Sequence, residues 1–186
     1  MERLKISSTQ PPVADSANRE SRARISFRAV NKPGQPGYQK GMQRHHLLPR
    51  QLINSPTLGR LFEGVGRDRI GFDDFRFNGL LLPAMEQASA VLGLPLHRGP
   101  HRQYSEVVAE RVAQIEREWS RMYATDPEQA GQTALMRMRL LQAALRRSLL
   151  RPGRRWLKLN RNDQLDSGVD FSELDAMADT IWSDTE

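Results

Sequence analysis

The chain has 186 residues, 38 % of them hydrophobic and 27 % charged, which suits one domain with a modest core and frayed appendages rather than several domains. It contains no cysteine. That excludes a disulfide framework, a thiolate zinc site and a cysteine nucleophile, so any metal must be held by histidine, carboxylate, amide or water.

The net charge of +6 hides a division along the chain. All 28 Lys and Arg lie at or before Arg161, whereas 14 of the 22 acidic residues precede Asp163, so the body carries +14 and the last 24 residues carry −8. Such a body attracts polyanions without regard to sequence, nucleic acid among them, although solubility, membranes and acidic proteins call for the same charge. No run of about eighteen apolar residues and no charged-then-apolar amino terminus is present, so neither membrane insertion nor a cleavable secretion signal is expected, and synthesis in the cytoplasm is.

Residues 1–40 read as a flexible basic leader or linker. Ser8, Thr9, Pro11 and Pro12 precede an Arg-rich stretch from Arg19 to Arg28, and Lys32-Pro33-Gly34-Gln35-Pro36-Gly37 follows. Such composition buries too little apolar surface to offset the entropy of ordering, although Ile25, Phe27 and Val30 alternate weakly enough to pair as an edge strand on a folded body. Residues 41–125 form the expected core with its long helix. Residues 42–48, ending at Pro49, predict a strand that stops at a loop. Ser55 as cap and Pro56 at the first position predict a short helix over 56–62, after which Gly64, Gly66 and Gly71 interrupt the chain. Asn78-Gly79 before Leu80-Leu81-Leu82-Pro83 predicts a tight turn opening a buried strand. That strand pairs naturally with 42–48 as a hairpin with a long insertion. A helix over 84–92 stops at Gly93.

Pro100 suits the first turn of a helix running to about residue 123, with Val107, Val108, Val112, Ile115 and Trp119 on one face. His101 then falls on the first helical turn and His97 just before it. Pro127 starts a helix to about residue 151 with Leu135, Met138, Leu141, Leu145 and Leu149 on one face. It lies in a basic amphipathic unit, 126–162, packed on the core. From Ala134 to Arg161 there are nine Arg or Lys and no acid, which makes either a solvated face or a phosphate-tracking one. The acidic tail, 163–186, holds a helical pattern over 171–182 and either covers the basic surface as a polyanion mimic or is simply solvated.

The chemistry concentrates in four histidines, all the chain has. His45 and His46 are adjacent, so on an extended backbone one can face a metal while the other faces substrate. His97 and His101 stand four apart and can bring two ring nitrogens toward one ion, the helical spacing being only approximate across Gly99-Pro100. Three neutral imidazoles on an ion with one free imidazole as base make a hydrolytic centre. The plain alternative is four solvated or capping histidines.

His45-His46-Leu47-Leu48-Pro49, then Asn78-Gly79-Leu80-Leu81-Leu82-Pro83, then His97-Arg98-Gly99-Pro100-His101 with Tyr104 together resemble the AHH nuclease family of the HNH, or His-Me finger, endonuclease superfamily. The likeness covers about residues 42–110. It departs from the family pattern at Arg44, where a small residue usually precedes the histidine pair. The resemblance implies an α+β, mostly helical chain with a ββα-metal core and flanking helices. By similarity to colicin-type nucleases, His45 would be a metal ligand, His46 the general base, and His97 and His101 the remaining ligands. Asn78, in the hairpin turn, would hold the base-bearing segment through amide hydrogen bonds, unless it is an ordinary Asn-Gly turn residue. Arg44, Arg98 and Arg102 are candidates to grip flanking phosphates.

The expected cofactor is one divalent metal ion: imidazoles favour zinc or nickel, while magnesium prefers oxygen ligands. The implied activity is metal-dependent, largely sequence-nonspecific DNA endonuclease action. AHH-type domains often form toxic tips of bacterial toxins, so delivery into rival cells by a signal-peptide-independent system and a cognate acidic immunity protein are further expectations. The rival readings are an RNase and a noncatalytic nucleic-acid-binding protein with a structural, histidine-bound zinc.

Overall fold

The structure is a computed structural model that describes residues 23–151 and Leu159; the acidic tail with its expected helix lies outside these residues. It is a mixed α+β fold, and 61 % of it is helical. Among the described residues one sheet pairs β1 (Met42–His46) antiparallel with β2 (Gly79–Pro83), with Met42 opposite Pro83 and His46 opposite Gly79. The ladder continues past the strand ends, because Leu47 N–H donates to the Asn78 carbonyl at 2.8 Å and Ala84 N–H to the Gly41 carbonyl at 2.7 Å.

Between the strands lie a 3-10 turn (Arg50–Asn54) and helices α1 (Pro56–Val65), α2 (Arg67–Ile70) and α3 (Phe75–Asn78). Ser55 caps α1 as expected, its hydroxyl accepting from Leu58 N–H. After β2 come α4 (Glu86–Leu92), α5 (Arg102–Tyr123) and α6 (Pro127–Leu150). Gly93 ends α4 in the left-handed conformation, φ 64°, which glycine adopts without a Cβ penalty. Helices α5 and α6 pack against each other and against α1. Leu61, Phe62 and Val65 of α1 meet Val108, Val112 and Ile115 of α5 and Met138, Leu145 and Leu149 of α6 in one core that reaches Leu47, Leu48 and Leu82 beside the hairpin. Burying each such side chain is worth about 1.5–3 kcal/mol, which anchors the hairpin to the helical layer.

Three expectations are corrected. Asn78-Gly79 is not a tight turn: Asn78 ends α3, and Gly79 is extended at φ −117°. A side chain at Gly79 would strike the Phe75 ring, at 2.2 Å from its nearest atom, so close packing and not turn geometry requires glycine there. His101 is the residue before α5, at φ −102° and ψ 55°, not a member of its first turn. The weak alternation at 25–30 gives a single bridge, Ser26 to Asp74, followed by a 3-10 turn over Phe27–Ala29, not an edge strand. The basic side of α6 is partly spent inward: Arg139 donates to the Arg69 carbonyl and Arg146 to those of Arg76 and Phe77. These carbonyls belong to the last turns of α2 and α3, which have no partner within their own helices.

Candidate metal centre and active site

The pleat of β1 sends its two histidines to opposite faces. His45 turns inward and is 3 % exposed. His46 turns to the other side, half-buried, with its ring flat on Phe27 at 3.7 Å between centroids and 4° between planes. On the His45 side the loop after β2 delivers His97, whose N–H donates to the Pro83 carbonyl at 2.7 Å, and the start of α5 delivers His101. The three rings gather with centroid separations of 4.9 Å (His45 to His97), 5.6 Å (His45 to His101) and 4.4 Å (His97 to His101). One ring nitrogen from each lies within 4.8 Å of the other two.

The hydrogen bonds around the cluster leave a lone pair on each ring for an ion. His101 Nδ1 lies 2.7 Å from the Leu159 carbonyl. A carbonyl only accepts, so Nδ1 carries the proton and Nε2 keeps its lone pair. His97 Nδ1 makes the same kind of bond to Gln43 Oε1 at 3.1 Å. His45 Nε2 is buried without any hydrogen-bond partner, a costly state for a polar atom unless a ligand meets it. Protonation is disfavoured as well. Burial, with His97 and His101 alongside, holds His45 well below the usual imidazole range, and burial together with His101 and His46 brings His97 to about 4. Neutral imidazoles at neutral pH are what metal coordination requires, so the residues fit a divalent ion. Tyr104 backs the cluster: its ring meets His45 edge-on at 4.9 Å and its hydroxyl donates to the Leu47 carbonyl at 2.7 Å.

Beneath β1, Asn78 is fully buried. Its Oδ1 accepts from Leu48 N–H at 2.7 Å, and its Nδ2 donates to the carbonyls of Leu48 at 3.2 Å and Phe72 at 2.9 Å. The amide therefore clamps the chain two residues past His46.

A nuclease family of the HNH/ENDO VII superfamily, defined by a conserved AHH, matches residues 26–142. The chain belongs to this AHH family. No match was found among curated proteins or among solved structures. Membership makes the protein a nuclease with nucleic acid as substrate, and HNH nucleases use divalent metals. Among the described residues no helix is long and apolar enough to cross a membrane.

The AHH match extends well beyond the His-His, Asn-Gly and His-x-x-x-His pieces. It takes in Phe27, which stacks on His46, and Gln142 of α6, whose Nε2 approaches Asn78 Oδ1 at 3.4 Å. Of the arginines suggested for phosphate, Arg98 and Arg102 are exposed beside His97 and His101. Arg44 is exposed too, but one guanidinium nitrogen bonds the carbonyls of Phe27 at 2.9 Å and Val30 at 3.3 Å. Sequence reasoning missed Phe27, Gln43, the Leu159 carbonyl and Arg50, whose charge is the neighbouring cation that most strongly disfavours protonation of His46. Only Arg50, four residues along in a basic stretch, carried any signal in the sequence.

Proposed function

We propose that this AHH-family nuclease is a metal-dependent, largely sequence-nonspecific endonuclease of DNA, with His45, His97 and His101 holding one divalent ion and His46 acting as general base. The observation that carries the reading is the gathering of three imidazoles, one ring nitrogen of each within 4.8 Å of the other two, around a His45 whose Nε2 is buried and unpartnered. A bound divalent ion supplies positive charge against the scissile phosphate and the departing oxygen.

The chain's own residues supply the rest. Burial, the charge of Arg50 and to a lesser degree Arg44, opposed by Asp73, bring His46 to about 4. At pH 7 its imidazole is neutral and free to take a proton from the water that attacks phosphorus. Asn78 fixes the backbone that carries it, and the proton leaves to solvent from a ring that is only half-buried. Arg98 and Arg102, exposed beside the histidine cluster, would grip flanking phosphates, and the +14 of the body adds sequence-independent attraction. Delivery as an antibacterial toxin belongs to the same reading. An acidic immunity protein is the partner it implies, and coexpression of a candidate inhibitor should restore growth to cells producing the nuclease.

The test is plasmid nicking with added magnesium, zinc or nickel, alongside calorimetric metal binding. His46→Ala should lose about 10²–10⁴ in rate while binding the metal as the wild type does. Full activity in His46→Ala overturns the base assignment. Absence of nicking by the wild type with every ion, with zinc still bound, favours a noncatalytic nucleic-acid-binding protein. Parallel digestion of RNA decides between the two polymers.

A further inference from the structure

The His46 ring sits in a closed aromatic circuit. One face lies flat on Phe27. Phe27 in turn meets Phe75 edge-on at 5.2 Å, and the Phe75 ring lies so close over Gly79 that a Cβ there would come within 2.6 Å of three of its atoms. Gly79 is the direct ladder partner of His46. Phe27 is therefore wedged between the imidazole and a ring that has no room to retreat.

The segment bearing Phe27 is pinned at both ends. Phe75 N–H donates to the Ile25 carbonyl at 2.8 Å, and Arg44 reaches from the strand face it shares with His46 to the carbonyls of Phe27 and Val30. Asn31 then ties the following turn to β1, its Nδ2 donating to the Met42 carbonyl at 2.9 Å. In place of the alanine of the AHH signature this chain has a side chain that fastens the Phe27 segment to the strand bearing the histidine pair.

We propose that Phe27 is a positioning residue for the nuclease reaction, holding the His46 imidazole in its productive orientation through the flat stack, and that Arg44 serves it by anchoring the segment. This rests on the assignment of His46 as base. A flat stack fixes the ring torsion of a side chain that otherwise has a broad, two-fold preference, and a base that is misaimed loses most of its catalytic effect.

The test measures kcat, KM and metal affinity for Phe27→Ala, Phe27→Leu, Phe27→Tyr and Arg44→Ala, with Phe27→Ala also made in the His46→Ala background. Phe27→Ala and Phe27→Leu should lower kcat about tenfold or more with KM and metal affinity unchanged, and Phe27→Tyr should restore it. Arg44→Ala should lower kcat in the same direction, and Phe27→Ala should cost nothing further once His46 is gone. A leucine variant as active as the wild type overturns the proposal, as does a loss that persists in the His46→Ala background or follows metal affinity. If His46→Ala itself retains activity, the base assignment fails and the proposal falls with it. An inactive His46→Ala beside a fully active Phe27→Ala sinks the proposal alone.

Discussion

Asn78→Ala removes the clamp under the histidine-bearing strand, and its cost follows from the bonds lost. The substitution strands the Leu48 N–H and leaves the Leu48 and Phe72 carbonyls without the Nδ2 donor, in a place from which water is excluded. A buried polar group left unpaired costs about 1–3 kcal/mol. The N–H, bonded at 2.7 Å, falls at the upper end, and each carbonyl keeps a second lone pair and falls at the lower end. The sum is about 5 kcal/mol. For a domain of this size that corresponds to a fall in Tm on the order of 10–15 °C. The loss should appear as a lower urea midpoint followed by circular dichroism, with the slope of the transition unchanged. Because the disturbed backbone follows His46 directly, nicking measured well below the new Tm should fall as well. A destabilisation under about 1 kcal/mol would show that the amide is dispensable, and the Asn-Gly pair would then be of no more consequence than an ordinary connection.

Gln43→Ala removes the acceptor that orients His97 and should weaken metal binding by about 10- to 100-fold, read by calorimetry, with the fold intact by circular dichroism; unchanged affinity would contradict the role of that bond. Asp74 gives a pH dependence. Burial alone would raise its carboxyl, but the Arg76 side chain, the Arg76 backbone N–H and the charge of Arg76 outweigh it and hold the group below its ordinary value. A depressed folded-state value means the contribution is present above about pH 4, the unfolded value, and is lost as pH falls through the folded one. The gap in urea midpoint between wild type and Asp74→Ala should therefore be open at pH 7 and narrow below pH 4, and a gap that widens on acidification would refute the pairing.

Much of the architecture could be read from local chemistry. Helix α6 follows from its proline start and apolar stripe and α5 from its apolar stripe, although Pro100 lies just ahead of α5 and not in its first turn; α1 and α4 follow from a serine–proline entry and a glycine exit. The hairpin with its long insertion was visible because two short apolar runs flank a glycine-interrupted stretch. The grouping of His45, His97 and His101 was legible because scarce imidazoles fell in a touching pair and a four-apart pair. What escaped were contacts between residues remote in sequence. Phe27 lies in composition that reads as linker, Gln43 reaches His97 across 54 residues, and Leu159 reaches His101 across 58. No periodicity marks such bonds, since their partners are a backbone carbonyl, one amide and one ring. The Asn78-Gly79 turn failed for a related reason: buried amide bonds and the Phe75 ring outweighed the local preference of the dipeptide.

The central claim is that three imidazoles share one ion while the fourth stays outside its coordination sphere. Anomalous diffraction from crystals grown with zinc tests it most directly. The account predicts a single peak about 2.0–2.1 Å from one nitrogen each of His45, His97 and His101, with His46 still stacked on Phe27 and not bound. A peak coordinated by His46, or an ion bound elsewhere while His45 Nε2 stays unliganded, would contradict it.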